Sequence, residues 1–155
     1  MMIIGPLLIL SSLASAQTIW PRPAINALWN LEEISECVLH YSPLIYNNYG
    51  CWCGVGGSHE PIDEIDECCM HHDKCYDAAV DARICYDVAW EYIDGYKWTC
   101  SNGTAVCAEK QTACKTALCA CDAAVVQCWS RHPKPEKKLK CNHIRKLPLP
   151  YRFQH

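Results

Sequence analysis

Apolar residues recur at helical spacing early in the chain. Leu28, Leu31, Ile34 and Val38 follow the three-to-four-residue period of one face of an α-helix. This pattern predicts an amphipathic first helix whose apolar face packs against a core. The solvent side of that helix would carry three acidic residues, namely Glu32, Glu33 and Glu36.

A second helix is predicted after Pro61. Proline is favoured at a helix start, and the acidic residues that follow it suit the helix dipole. The pattern favours a helix from there to about Cys85. One face would collect side chains at i, i+3 and i+4 spacing, namely Cys68, His72, Cys75, Tyr76 and Ala79. His72 is therefore predicted to face inward, whereas His71 lies about 100° around the helix and is the weaker candidate.

A third helix is predicted over residues 109–129, which are rich in alanine and contain no glycine or proline. Asp122 adjoins the inner face of this helix. The residues that mark that face are Cys114, Leu118, Cys121, Val125 and Cys128.

A small β-hairpin is predicted between the second and third helices. Residues 96–100 and 104–107 flank Ser101-Asn102-Gly103, and Asn-Gly is typical of tight hairpin turns. Asn102-Gly103-Thr104 is also a glycosylation sequon. Asn102 is therefore a candidate glycan site, although a tight turn can hinder glycan transfer.

The N-terminal segment is typical of a secretory signal. Residues 3–13 form an apolar stretch too short to span a bilayer, and Ala14-Ser15-Ala16 is a typical cleavage site. A secreted, extracellular protein is expected. The predicted segments are a signal peptide at 1–16, a candidate pro-segment at 17–26, a folded domain at 27–141 and a flexible C-terminal tail at 142–155.

The cysteine content agrees with an oxidising compartment. All 14 cysteines lie between Cys37 and Cys141. An even number of cysteines behind a secretory signal predicts disulfides. A zinc site built from cysteine and histidine is the less favoured alternative.

Charge excludes one class of partner and leaves another open. The formal net charge of −3 gives no uniformly basic surface, so no nucleic-acid partner is expected. Basic residues nevertheless crowd the end of the predicted domain, namely Arg131, Lys134, Lys137, Lys138 and Lys140. This run could contact anionic lipid or a heparin-like polymer, but a solvated loop is the preferred interpretation.

Two adjacent motifs carry the candidate chemistry. A cysteine-bracketed glycine run at residues 49–57 cannot be a helix interior, and its backbone must approach something closely or adopt positive φ. Further along, His72 and Asp73 combine a base near neutral pH with a hard oxygen ligand for a cation.

Together these motifs resemble one family, the secreted phospholipases A2 of the pancreatic and elapid type. The matching residues are Tyr49-Gly50-Cys51-Trp52-Cys53-Gly54-Val55-Gly56-Gly57, then Pro61, Asp63, Asp66, Cys68-Cys69, His72-Asp73 and Cys75-Tyr76, and finally Cys119-Ala120-Cys121-Asp122. The resemblance implies a mainly α, disulfide-rich fold with two long antiparallel helices, an N-terminal helix, a calcium loop and a small β-wing. This sequence departs from the family pattern at His59, a position at which family members usually have glycine.

The resemblance also implies a set of seven disulfides, because spacing alone does not select one connectivity. The implied pairs are Cys37–Cys100, Cys51–Cys141, Cys53–Cys69, Cys68–Cys128, Cys75–Cys121, Cys85–Cys114 and Cys107–Cys119.

By the same resemblance, the activity is calcium-dependent hydrolysis of the sn-2 ester of glycerophospholipids. His72 would be the general base and Asp122 would orient it, with Tyr76 and Tyr96 supporting Asp122. Ca²⁺ would be bound by Asp73 and by the carbonyls of Trp52, Gly54 and Gly56, and the Gly54 N–H would complete an oxyanion site. Leu28, Leu31 and Ile34 are candidates for an acyl channel, and Leu28, Trp29 and Trp52 for membrane contact.

Two rival classes remain at this point. One is a non-catalytic phospholipase-like toxin or receptor ligand, and the other is a structural cystine-rich module. Both are weakened by the presence of His72 together with Asp73. The expected partners are a phospholipid membrane or micelle surface, contacted peripherally, and a candidate cell-surface receptor. The expected state is a monomer or weak oligomer.

Overall fold

The computed structural model describes residues 26–86 and 95–141. Its helices are α1 at Asn26–Leu39, a short 3-10 helix at Pro43–Ile45, α2 at Glu64–Asp81 and α3 at Ala113–Trp129. Its strands are β1 at Trp98–Ser101 and β2 at Thr104–Cys107. The mainly helical fold with a small antiparallel sheet is confirmed. The predicted signal peptide, most of the candidate pro-segment and the predicted tail lie outside the described residues.

The helix α1 begins at Asn26 and packs with the face that the apolar spacing indicated. Ile34 is fully buried, and Leu31 and Val38 are partly buried against the core. Leu28 lies at the exposed start of the helix with 47% of its surface accessible. The three glutamates are not among the buried polar residues of the core.

Two predicted helix boundaries were wrong because local capping decides where these helices begin and end. Asp63 caps α2, since its side chain accepts a hydrogen bond from the Asp66 N–H. The helix ends at Asp81 rather than near Cys85, because the backbone turns through Ala82 and then Arg83, whose φ is 56°.

The start of α3 is displaced from residue 109 to Ala113. Thr112 provides the N-cap by accepting from the Lys115 N–H. The preceding residues are held to the hairpin instead. Ala108 N donates to the Lys97 carbonyl at 3.0 Å, and the Lys97 N–H donates to Gln111 Oε1 at 2.9 Å.

The hairpin closes as its turn residues predict, although β1 begins at Trp98 and not at residue 96. The strands β1 and β2 are antiparallel, with Ser101 opposite Thr104. Asn102 and Gly103 both adopt positive φ, 48° and 71°, as a tight two-residue turn requires.

Disulfides determine how the helices are fixed to one another. All cysteines of the chain are paired, and the seven pairs are those that the resemblance implied: Cys37–Cys100, Cys51–Cys141, Cys53–Cys69, Cys68–Cys128, Cys75–Cys121, Cys85–Cys114 and Cys107–Cys119. Two of these bonds, Cys68–Cys128 and Cys75–Cys121, join α2 to α3 two turns apart on each helix. They hold the two helices antiparallel.

The zinc alternative is not supported by this arrangement. Within residues 26–86 and 95–141, the one group with metal-ligand spacing is Cys68, Cys128 and His132. Both of its sulfur atoms are already joined in a disulfide. Over the same residues, no helix has both the length and the apolar character needed to cross a membrane.

Candidate active site

The two helix-linking disulfides bracket a histidine–aspartate pair. His72 lies on α2 between Cys68 and Cys75, and Asp122 lies on α3 beside Cys121. His72 Nε2 is 2.6 Å from Asp122 Oδ1. Because each partner is on a different helix, the α2–α3 bonds determine whether these two atoms meet.

Asp122 is fully buried, and three donors converge on its carboxylate. Besides His72, the Tyr76 hydroxyl donates to Oδ1 at 2.8 Å and the Tyr96 hydroxyl donates to Oδ2. A buried charge is tolerated when it is hydrogen-bonded in this way. The pair predicted to support Asp122 therefore contacts it directly.

Tyr96 is positioned from outside the two long helices. Its backbone N–H donates to Asn30 Oδ1 on α1 at 2.9 Å. Burial, and then the charge of Asp122, raise the pKa of Tyr96 well above its ordinary value. The phenol therefore stays protonated and remains a donor.

This arrangement determines which imidazole nitrogen can act as a base. A carboxylate only accepts hydrogen bonds, so Nε2 of neutral His72 carries the proton and Nδ1 keeps its lone pair. The Nδ1 atom is 3.9 Å from Asp73 Oδ1, on the side away from Asp122. The side chain of His72 is 14% exposed.

Asp73 is a partly buried carboxylate in an unfavourable environment for negative charge. Its side chain is 20% exposed. Burial raises the pKa of Asp73 from 3.8 to about 6; nearby His72 opposes this shift, and Asp77 and Asp66 add to it. A site of this kind favours a bound cation, which would offset the cost of the charge.

Two carbonyl groups of the glycine loop accept backbone hydrogen bonds from other described residues. The carbonyl of Cys51 accepts from Ser58 N, and that of Cys53 accepts from Asn48 N at 2.7 Å. The carbonyls of Trp52, Gly54 and Gly56 accept no backbone N–H from another described residue, and neither does the carbonyl of Val55. The first three of these are the carbonyls predicted as calcium ligands.

Two glycines allow the loop to take this shape. Gly54 has a φ of 150° and Gly56 a φ of 71°, conformations that disfavour a side chain. His59, at the position where the family usually has glycine, also has positive φ, 75°. The loop therefore keeps a glycine-like backbone there despite the histidine side chain.

The residues predicted to line an acyl channel or to contact a membrane differ in their exposure. Ile34 is fully buried in the core, and Leu31 is packed against the core as well. The indole of Trp52 lies so close to Gly57 that an added Cβ would be 2.2 Å from the ring, and its Nε1–H donates to the His59 carbonyl at 2.9 Å. Trp52 therefore braces the loop. Leu28 and Trp29 are about half exposed.

One functional contact was missed from the sequence. Asp66 was recognised as part of the motif but given no role, although its carboxylate binds the loop backbone. The signal that could have indicated this contact is an acidic residue in the first turn of a helix that follows a glycine loop.

The comparisons with known proteins agree with this geometry. The family profile described as Phospholipase A2 matches residues 28–140. A phospholipase A2 of Oryctolagus cuniculus is 36% identical over 129 residues, which span 81% of this chain and 90% of the relative. Basic phospholipase A2 nigroxin B of Micrurus nigrocinctus is 40% identical over 113 residues, 73% of this chain and 92% of the relative. A phospholipase A2 of Bos taurus is 38% identical over 111 residues, 70% of this chain and 77% of the relative.

Removing one donor from Asp122 should destabilise the fold. In Tyr96→Phe, a buried carboxylate oxygen loses its hydrogen bond, which costs about 1–3 kcal/mol. Tyr86→Phe is the matched control, because Tyr86 is 86% exposed. The free energy of unfolding in denaturant, with disulfides intact, measures both variants. Equal stability of the two would contradict the role of Tyr96.

Proposed function

Because this chain belongs to the phospholipase A2 family of enzymes, we propose that it hydrolyses the sn-2 ester of glycerophospholipids in a calcium-dependent reaction. The products are a fatty acid and a lysophospholipid. The observation that carries this proposal is the His72–Asp122 pair at 2.6 Å, with Asp73 on the opposite side of the imidazole ring.

His72 acts as the general base through Nδ1. A water molecule held there gives its proton to Nδ1 as its oxygen attacks the ester carbonyl carbon. Asp122 keeps the proton on Nε2 and stabilises the imidazolium that forms. When the tetrahedral intermediate collapses, the imidazolium returns the proton to the departing glycerol oxygen. The donors Tyr76 and Tyr96 keep Asp122 in place during both steps.

Asp73 and the carbonyls of Trp52, Gly54 and Gly56 form a donor set suited to calcium. All four ligands are oxygen atoms, as a hard cation prefers. The raised pKa of Asp73 and the three carbonyls without partners among the described residues support this assignment. When bound, Ca²⁺ supplies Lewis-acid polarisation of the ester carbonyl and a contact for the phosphate.

The Gly54 N–H is suited to stabilise the oxyanion. It donates no hydrogen bond to another residue in the described part of the chain. A preorganised backbone donor at this point would be available as negative charge develops on the carbonyl oxygen.

The calcium loop also provides an apolar contact for a lipid surface. Val55, between Gly54 and Gly56, is fully exposed, and Leu44 in the 3-10 helix is 66% exposed. Exposed apolar side chains next to a reaction centre favour peripheral attachment to a membrane or micelle. Lys138 donates to the Leu44 carbonyl at 3.1 Å, so a cationic group lies beside Leu44.

We also propose secretion and glycosylation, for reasons that are independent of the active site. Disulfides of this density are typical of extracellular proteins. Asn102 is exposed at the tip of the hairpin, which is a typical setting for an N-linked glycan.

Fatty-acid release from phosphatidylcholine mixed micelles tests the proposed reaction. We expect turnover with Ca²⁺, loss of turnover with chelator, and a loss of about 100-fold or more in His72→Gln. His71→Gln is the matched control, because the neighbouring His71 side chain is 65% exposed. A wild type without turnover would favour the non-catalytic binding class, and equal effects of the two variants would contradict the assignment of the base.

Calcium binding should weaken in mild acid. Ca²⁺ needs the ionised carboxylate of Asp73, whose pKa is raised to about 6. Protons therefore compete below that pH, and affinity should fall about tenfold between pH 7.5 and pH 5. Calorimetric titration of calcium across this range measures the change. An affinity that stays constant down to pH 5 would exclude Asp73 as the titrating ligand.

Val55 should act at the lipid surface and not in catalysis. We expect Val55→Ser to reduce hydrolysis of vesicles by about tenfold, since burying a valine in lipid is favourable by about 1.5 kcal/mol or more. Hydrolysis of a monomeric short-chain substrate should be unchanged. Val106→Ser is the control, because Val106 is exposed on β2. An equal loss on both substrates would contradict surface attachment through Val55.

A further inference from the structure

The calcium loop is attached to α2 by a buried carboxylate that the catalytic scheme does not use. Asp66 is fully buried in the first turn of α2. Its Oδ2 accepts from Cys51 N at 2.8 Å and its Oδ1 from Trp52 N at 2.8 Å. Oδ2 also accepts from Ile62 N at 3.0 Å. One side chain thus satisfies two amides of the loop and one of the segment leading into the helix.

The position of Asp66 connects the two halves of the proposed calcium site. Asp73 lies two turns further along the same helix. The first loop carbonyl assigned to calcium belongs to Trp52, whose own N–H is bound to Asp66. The carboxylate therefore fixes the loop carbonyls relative to the Asp73 side chain.

Gly50 packs directly against the Asp66 carboxylate. A Cβ on Gly50 would lie 2.2 Å from Asp66 Cγ, and Gly50 has a φ of 61°. The loop backbone and the carboxylate are thus in direct contact. Tyr49 also donates its hydroxyl to Asp63, so the loop is bound to the start of α2 at a second carboxylate.

We propose that Asp66 is a positioning residue of the calcium site, which holds the loop in its binding conformation before calcium arrives. This inference rests on the proposed function, because it concerns the same calcium site. A carboxylate suits the role because it accepts all three N–H groups, whereas an asparagine amide would direct N–H donors at one or more of them. Asp66 acts through the loop and does not touch the substrate.

Calcium affinity of Asp66→Asn tests the proposal. We expect the dissociation constant, measured by calorimetry, to rise about tenfold or more, since a charge-assisted contact is lost. At saturating calcium, kcat should return close to the wild-type value. Asp77→Asn is the matched control: Asp77 is exposed on α2 and also bears negative charge near Asp73, but it contacts no loop amide. That variant should change affinity by at most about threefold.

Gly50→Ala perturbs the same contact without altering charge. It should also weaken calcium binding, because the methyl group displaces the loop from Asp66.

Residue-resolved amide exchange in chelator gives a readout that needs no variant. The Cys51 and Trp52 amides should be protected in the wild type, and exchange at the rate of an unstructured peptide would overturn the proposal.

The outcomes separate this inference from the proposed function. A wild type that binds no calcium would overturn the proposed calcium dependence. A wild type that binds calcium, with Asp66→Asn no weaker than Asp77→Asn, would overturn only the role of Asp66. An unchanged calcium affinity in Gly50→Ala would likewise overturn only the role of Asp66.

Discussion

The hydrogen bond between His72 and Asp122 is the contact on which the rest of the site depends. It exists because Cys68–Cys128 and Cys75–Cys121 hold α2 and α3 antiparallel, with the two side chains between them. Asp122 is fully buried, so its charge must be offset by hydrogen-bond donors. The Tyr76 and Tyr96 hydroxyls supply these, and through Asn30 the backbone of Tyr96 connects the network to α1.

The helix that carries the proposed base also binds the glycine loop. Asp73 follows His72 directly, and Asp66 binds the loop amides from the first turn of α2. The proposed base, the proposed cation ligand and the carboxylate that binds the loop are therefore placed by one helix that is itself fixed by disulfides. Such an arrangement is preorganised, because little reorganisation remains when water and substrate bind.

The helices and the hairpin were predictable because their signals are local. Periodic apolar residues indicated α1 and α3, and Asn102-Gly103 indicated the turn. Helix ends were less predictable, because the start of α3 depends on which residue provides the N-cap. In this chain that residue is Thr112. The disulfide pairing came from family resemblance. The three contacts of Asp66 could not be predicted, because they depend on how the loop folds back onto α2 in three dimensions.

We propose that Asp122 holds the proton on His72 Nε2 and thereby leaves Nδ1 as the base. The most direct test is the tautomer of His72, read from the ring ¹⁵N chemical shifts of the neutral imidazole in selectively labelled protein. We expect protonated Nε2 in the wild type, and a loss of this preference in Asp122→Asn. A wild-type imidazole protonated on Nδ1 would contradict it.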